Sequence, residues 1–93
     1  MRTIERSTRF KRDYKRELKG KHGAGLDADF RPVLVALASN APLDPRYADH
    51  ALSGDWTGYR DCHIKPDLVL IYGKPDDETL RLARLGSHSE LFG

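Results

Sequence analysis

Ninety-three residues contain one cysteine, one tryptophan and one methionine. A lone thiol, Cys62, forms no intrachain disulfide and no cysteine zinc cluster. Long apolar stretches are missing too, since no run approaches the ~20 residues that span a bilayer. The N-terminal MRTIERSTRF is basic but has no apolar h-region, so it does not read as a signal peptide. There is no repeat, low-complexity tract or interdomain linker. These absences argue against disulfide-stapled, membrane-spanning and repeat architectures. They leave one cytoplasmic domain over residues 1–93, with no membrane partner. Hydrophobic content of 39% and charged content of 32% fit a folded chain. A domain this short folds on a small core.

Charge is present but unevenly placed. Residues 1–22 hold nine Lys/Arg and three acids, a net +6. The other 71 residues hold seven basic and eleven acidic side chains, a net −4. A basic arm on a nearly neutral body suggests a polyanionic partner, although a solvated helix face has the same composition.

Arg2–Arg6, with Ile4 as its apolar residue, reads as a charged edge strand. Ser7 or Thr8 caps a helix with Phe10, Tyr14 and Leu18 in a narrow apolar stripe. Lys11, Arg12, Lys15, Arg16 and Lys19 occupy much of its remaining surface. Gly20, His22 and Gly23 stop it. A second helix starts near Asp27 or Asp29 and buries Phe30, Val33, Leu34, Leu37 and Ala38. Pro32 then falls in its first turn, where no intrahelical N–H is needed. Asn40, Pro42 and Pro45 end it. After a loop, Trp56–Ile64 reads as a strand with Trp56, Gly58, Arg60, Cys62 and Ile64 on one face. Tyr59, Asp61 and His63 take the other. Arg60, among apolar neighbours, needs solvent or an acid. Lys65-Pro66-Asp67 turns the chain. Leu68–Tyr72 is a central strand buried on both faces. Thr79–Leu85 is the last strand, and Ser87–Phe92 is too short for more than one helical turn. The predicted order is β-α-α-β-β-β. That is an α+β fold with two helices on one face of a mostly antiparallel sheet.

His50, His63, Asp67 and His88 flank the predicted strand ends. Imidazole takes and gives protons near neutral pH. Cleavage of RNA by its own 2′-hydroxyl needs that pairing: a base at the hydroxyl and an acid at the leaving 5′-oxygen. Arg84 offers a permanent cation for the phosphorane charge. Arg84, Gly86 and His88 share a parity, so an extended chain aims Arg84 and His88 the same way. Each residue also has a plainer reading. His22 reads as structural, Asp67 as a turn residue, and Asp61 as a group that orients His63. Cys62 points away from His63 and reads as core. No metal-ligand spacing such as HxxxH is present.

The segment HALSGDWTGYRDCHIKPDLVLIY, followed by LRLARLGSHSELFG, closely resembles the YafQ-type branch of the RelE/ParE superfamily of bacterial toxins. The matched positions include His50, Gly54, Trp56, Tyr59, Arg60, Asp61, His63, Asp67, Arg84, Gly86, His88 and Phe92. The resemblance implies a RelE-like fold and the toxin of a type II toxin–antitoxin pair. It implies a ribosome-dependent endoribonuclease that cuts mRNA in the A site, without metal or cofactor. Carried over, His50, His63, Asp67 and His88 are catalytic, Arg84 contacts the phosphate, and Phe92 and Asp61 position the RNA. Lys11, Arg12, Lys15, Arg16 and Lys19 then meet ribosomal RNA. The partners implied are the 70S ribosome, mRNA and a DinJ/RelB-like antitoxin. The toxin alone is expected to be a monomer, and its antitoxin complex to bind operator DNA. The competing readings are a ParE-like binder that poisons DNA gyrase and an inactive antitoxin-binding scaffold. Neither has a use for converging histidines.

Overall fold

Leucine, valine, isoleucine and tyrosine fill Leu68–Gly73, and every residue of this strand is buried. In the computed structural model, which describes residues 1–93, it is the middle of a five-stranded sheet. The strands are β1 (Thr3–Arg6), β2 (His50–Ala51), β3 (Arg60–Lys65), β4 (Leu68–Gly73) and β5 (Thr79–Gly86), in the order β1-β5-β4-β3-β2. β1 runs parallel to β5, and the other pairs are antiparallel. β1 is fully exposed, as its charges require of an edge.

Two helices cover one face. α1 (Thr8–Leu18) is capped by Ser7, whose Oγ accepts from Phe10 N at 3.0 Å and donates to Ala83 O at 2.8 Å. α2 (Leu26–Ala38) follows a turn at Gly23–Gly25. A side chain at Gly23 would put its Cβ 2.0 Å from the Leu18 carbonyl, so only glycine fits that crossing. Phe10, Leu26, Phe30, Val33 and Leu37 pack on Cys62, Leu70, Leu80, Leu82 and Leu85 to make the main core. The opposite face carries a smaller cluster of Val69, Ile71, Ala83 and Leu91, flanked by Leu52, Trp56, Tyr59 and Phe92.

Four expectations change. α2 starts at Leu26 on an uncapped Gly25, so Pro32 lies in its second turn rather than its first. Pro32 has no N–H for the Ala28 carbonyl. Trp56 is not in a strand but closes a 3-10 turn, Gly54–Trp56. Gly58 then adopts a positive φ of 92° before β3 begins, which breaks the alternation. Trp56 therefore joins Tyr59 on the smaller cluster, with ring centroids 5.4 Å apart, instead of holding the sheet to the helices. His50 lies in the short strand β2 rather than in a loop. The C-terminal stretch is a third helix, α3 (His88–Phe92). Ser87 and Glu90 close a reciprocal capping box at its start.

Candidate active site

The sheet face opposite α1 and α2 carries most of the chemistry. The β2–β3 register sets His50 against Asp61, and the β3–β4 register sets His63 against Val69 and Asp61 against Ile71. Val69 and Ile71 belong to the smaller cluster, so these polar groups stand on its face. α3 adds His88 and Phe92, whose rings lie 4.9 Å apart by centroid.

Asp61 is the buried floor of this group, at 2% exposure. Burial raises its carboxyl above the usual value, and the charges of His50, His63 and His88 pull it part of the way back. His50 Nδ1 stands 3.0 Å from Asp61 Oδ1 and 3.1 Å from the Ala48 carbonyl. A carbonyl only accepts, so Nδ1 carries the proton and directs it at Ala48. Asp61 Oδ1 is left with no well-directed hydrogen bond. His63 Nδ1 faces the Pro66 carbonyl at 3.4 Å, a long contact of the same polarity. In both rings Nε2 is the nitrogen left to work outward. Asp61, expected to position RNA, lies buried beneath His50 instead of on the open surface.

Two other expected members are occupied elsewhere. Asp67 is paired with Lys21 and lies 2.9 Å from His22 Nε2, both in the turn between α1 and α2. The Lys21 hydrogen bond leads in holding its carboxyl below the ordinary range, with His22 adding to it. His22 is thus a partner of a candidate site residue, and its half-buried ring is not merely turn decoration. Arg84 Nε donates to Asp13 Oδ2 at 2.7 Å and Nη2 to Asp13 Oδ1 at 3.2 Å, which leaves Nη1 without a protein partner. The extended geometry behind the expected shared parity of Arg84 and His88 does not continue to His88, because the chain after Gly86 turns into α3.

Asp13 went unnoticed in the sequence because it sits in a helix read as basic. It is 3% exposed. Besides Arg84 it receives Arg16 Nη1 at 3.0 Å and the Leu85 backbone N–H at 3.0 Å. Burial pushes its carboxyl up, but the bonds from Arg84 and Leu85 and the charges of Arg84 and Arg16 outweigh that and hold it low. The available signal was spacing. Asp13 is three residues beyond Phe10, on the stripe that α1 buries. Arg16 also donates to Glu17 at 3.1 Å and to the Leu85 carbonyl at 2.9 Å, and lies 3.5 Å from Glu90. It ties α1 to β5 and α3, so it is not one of the free cations expected to face RNA. Lys11, Arg12, Lys15 and Lys19 are exposed. Arg60 finds its acid in Asp49, 3.3 Å away, which also accepts the Tyr72 hydroxyl at 2.8 Å. Buried Cys62, its thiol pushed up to about 12 by burial, is inert core.

No three His, Cys, Asp or Glu side chains stand together in a way that would hold a metal ion. The arrangement offers instead one imidazole, His50, against a buried carboxylate, with His63 on the same sheet face and His88 on the helix α3 that packs there.

Comparison with known proteins bears on this face. The chain is 39% identical over 92 residues to the mRNA interferase toxin YafQ of Escherichia coli K12, covering 97% of this chain and 99% of that one. It superimposes on YafQ in the E. coli DinJ–YafQ complex with a TM-score of 0.81, at 36% identity and full coverage of both chains. A metal-bound toxin from Helicobacter pylori gives a TM-score of 0.82 at 43% identity, covering 99% of this chain and all of that one. Residues 2–93 match the family described as the bacterial toxin of type II toxin–antitoxin system, YafQ. With this coverage and a shared α+β fold, the chain belongs to the YafQ family of bacterial toxins.

Proposed function

We propose that the protein is the toxin of a type II toxin–antitoxin pair and a ribosome-dependent endoribonuclease that cuts mRNA in the A site. The observation that carries this reading is His50 Nδ1 standing 3.0 Å from buried Asp61, on the sheet face that also bears His63 and packs against α3, which brings His88. The name of the E. coli relative, an mRNA interferase, supports it.

His50 is the general base. Its Nδ1–H is spent on Ala48, so Nε2 presents a lone pair to the 2′-hydroxyl, and Asp61 stabilises the imidazolium that forms. His88, exposed on α3 and steadied by Phe92, is the acid that protonates the leaving 5′-oxygen. His63 holds the substrate between them. The free Nη1 of Arg84 supplies charge to the phosphorane, its guanidinium fixed by Asp13. Asp67 is a poor base, because Lys21 and His22 stabilise its charged form. It orders the turn next to His63. No step in this scheme passes through a metal.

The antitoxin partner is DinJ/RelB-like, as in the E. coli DinJ–YafQ complex. Its place is the groove of about 550 Å³ between α1 and α2, floored by Phe10, Tyr14, Phe30 and Leu34 and edged by Arg6, Lys11 and Lys15. An acidic amphipathic segment suits that groove.

Primer extension on a translated mRNA, with and without ribosomes, tests the activity. In-frame cuts that need ribosomes and fall about 100-fold in His88→Ala are expected, the usual size of a lost acid or base. Full cleavage by His88→Ala would remove the acid assignment. An absence of cuts during translation would remove the enzymatic reading.

A further inference from the structure

We propose that a second groove, along the outer edge of β3, holds the nucleotide next to the scissile bond and reads its base. The proposal rests on the RNA-cleaving function above and adds a specificity subsite to it. β2 pairs with β3 only at Arg60 and Asp61. From His63 onward the outer edge of β3 has no strand beside it. Between this edge, α2 and the 3-10 turn Pro45–Tyr47 lies a cleft of about 560 Å³. That falls within the ~300–1,000 Å³ usual for small-ligand clefts.

Three features suit the cleft to a nucleotide. The Arg46 guanidinium lies over the Tyr47 ring, 4.9 Å from its centroid, and Nη2 donates to the Tyr47 hydroxyl at 2.9 Å. It makes no ion pair with an acid, so a flat, preordered cation faces solvent and can stack on a base. Lys65, 3.2 Å from Asp29, also lines the cleft and offsets that acid's charge. Ala28, Asp29 and Pro32 form the α2 wall, with the Asp29 carboxylate paired to Lys65. Pro32 leaves the Ala28 carbonyl without its helical donor, so the wall carries an acceptor for a base bearing an amino group.

The cleft also joins the catalytic group. His63 lines it, and so does Ala48, whose carbonyl holds His50. A chain of RNA lying across His50 and His88 has its next base at this opening.

The test maps cleavage sites and rates on translated mRNA for the wild-type protein, Arg46→Ala and Pro32→Ala. Arg46 is exposed, and its truncation leaves the core intact. In Arg46→Ala we expect cleavage at preferred sites to fall about tenfold, as for loss of one stacking contact. Pro32→Ala returns an N–H to the Ala28 carbonyl and should flatten the preference for bases with an amino group while raising the melting temperature. If the wild-type protein cuts and both variants keep its rates and site pattern, the subsite does not exist. If Arg46→Ala cuts normally and only escapes the antitoxin, the cleft belongs to that partner and the inference falls. If the wild-type protein makes no cuts, the proposed function fails, and this subsite fails with it.

Discussion

Asp13 shows how a single carboxylate can govern a fold this small. It satisfies two arginines and the Leu85 N–H, and it lies at the β5 edge where β1 has already ended. Asp13→Ala would strand the Arg84 cation, which is only 13% exposed, and leave the Leu85 N–H unpaired. The expected cost is about 3 kcal/mol, the low end for breaking a buried pair. The acid dependence has a definite sign. The folded-state pKa of Asp13 lies below its unfolded value, so the folded protein binds fewer protons there. Its contribution is whole above the ordinary carboxylate range and is lost progressively as pH falls below that range and through the lowered folded-state pKa. Asp61 works in the opposite sense. Its raised pKa makes the charged form a burden that grows as pH rises. Urea melts of the wild-type protein and Asp13→Asn should therefore begin to converge once the pH drops below the ordinary carboxylate value, and the wild-type advantage should disappear only as pH falls through the lowered folded-state pKa. A constant gap across that range would show that Asp13 acts through packing alone. The same residue explains what was legible beforehand. The three histidines stood out by chemistry and position along the strands. The partners of Arg84 and Asp67 did not, because Asp13, Lys21 and His22 lie 71, 46 and 45 residues away in sequence from the groups they hold. Only tertiary packing brings them together.

Among the elements, the strands and the first two helices follow from pattern, and β4 is central because it is apolar throughout. The misread elements lie where turn geometry overrode periodicity. Gly54 and Gly58, both at positive φ, separate Trp56 from the strand it was expected to begin. The helix α3 was readable in principle. Ser87 and Glu90 have capping-box spacing, and the five residues after the cap are enough to close one turn. A helix this short has no stability of its own and depends on its cap and on Leu91, 8% exposed, in the smaller cluster. Ser87→Ala should remove about 1 kcal/mol. The melting temperature should fall by about 4–8 °C if the whole is lost globally, and by less if α3 frays alone. Because α3 carries His88 and Phe92, cleavage of ribosome-bound mRNA should fall about tenfold even while β-sheet structure persists by circular dichroism. An unchanged rate in a destabilised Ser87→Ala would mean that His88 needs no ordered helix to act.

Across the whole molecule, charge is divided by side. The helical layer bears Lys11, Arg12, Lys15 and Lys19 on its exposed surface, while Arg16 is committed to Asp13, Leu85 and Glu90. The basic arm visible in the sequence thus contains two kinds of cation. Free lysines can neutralise RNA phosphates, and each phosphate neutralised releases counterions and steepens the salt dependence of binding. Lys11 and Lys15 also edge the apolar groove proposed for the antitoxin, so if both proposals hold, ribosome and antitoxin should exclude each other. A double variant, Lys11→Glu with Lys15→Glu, separates this arrangement from a solvated face. Its affinity for ribosomes should drop, and the slope of log affinity against log salt should become shallower by about 2, one for each lost contact. Its melting temperature should stay near that of the wild-type protein, since both lysines are exposed and neither side chain is tied into an ion pair. Arg16→Glu is the contrast. It places a fourth acid among Asp13, Glu17 and Glu90, so it should destabilise the fold before ribosome binding can be measured. Equal salt slopes for the wild-type protein and the double lysine variant would show that the helical layer does not meet the ribosome. The catalytic face would then have to supply the docking contacts by itself.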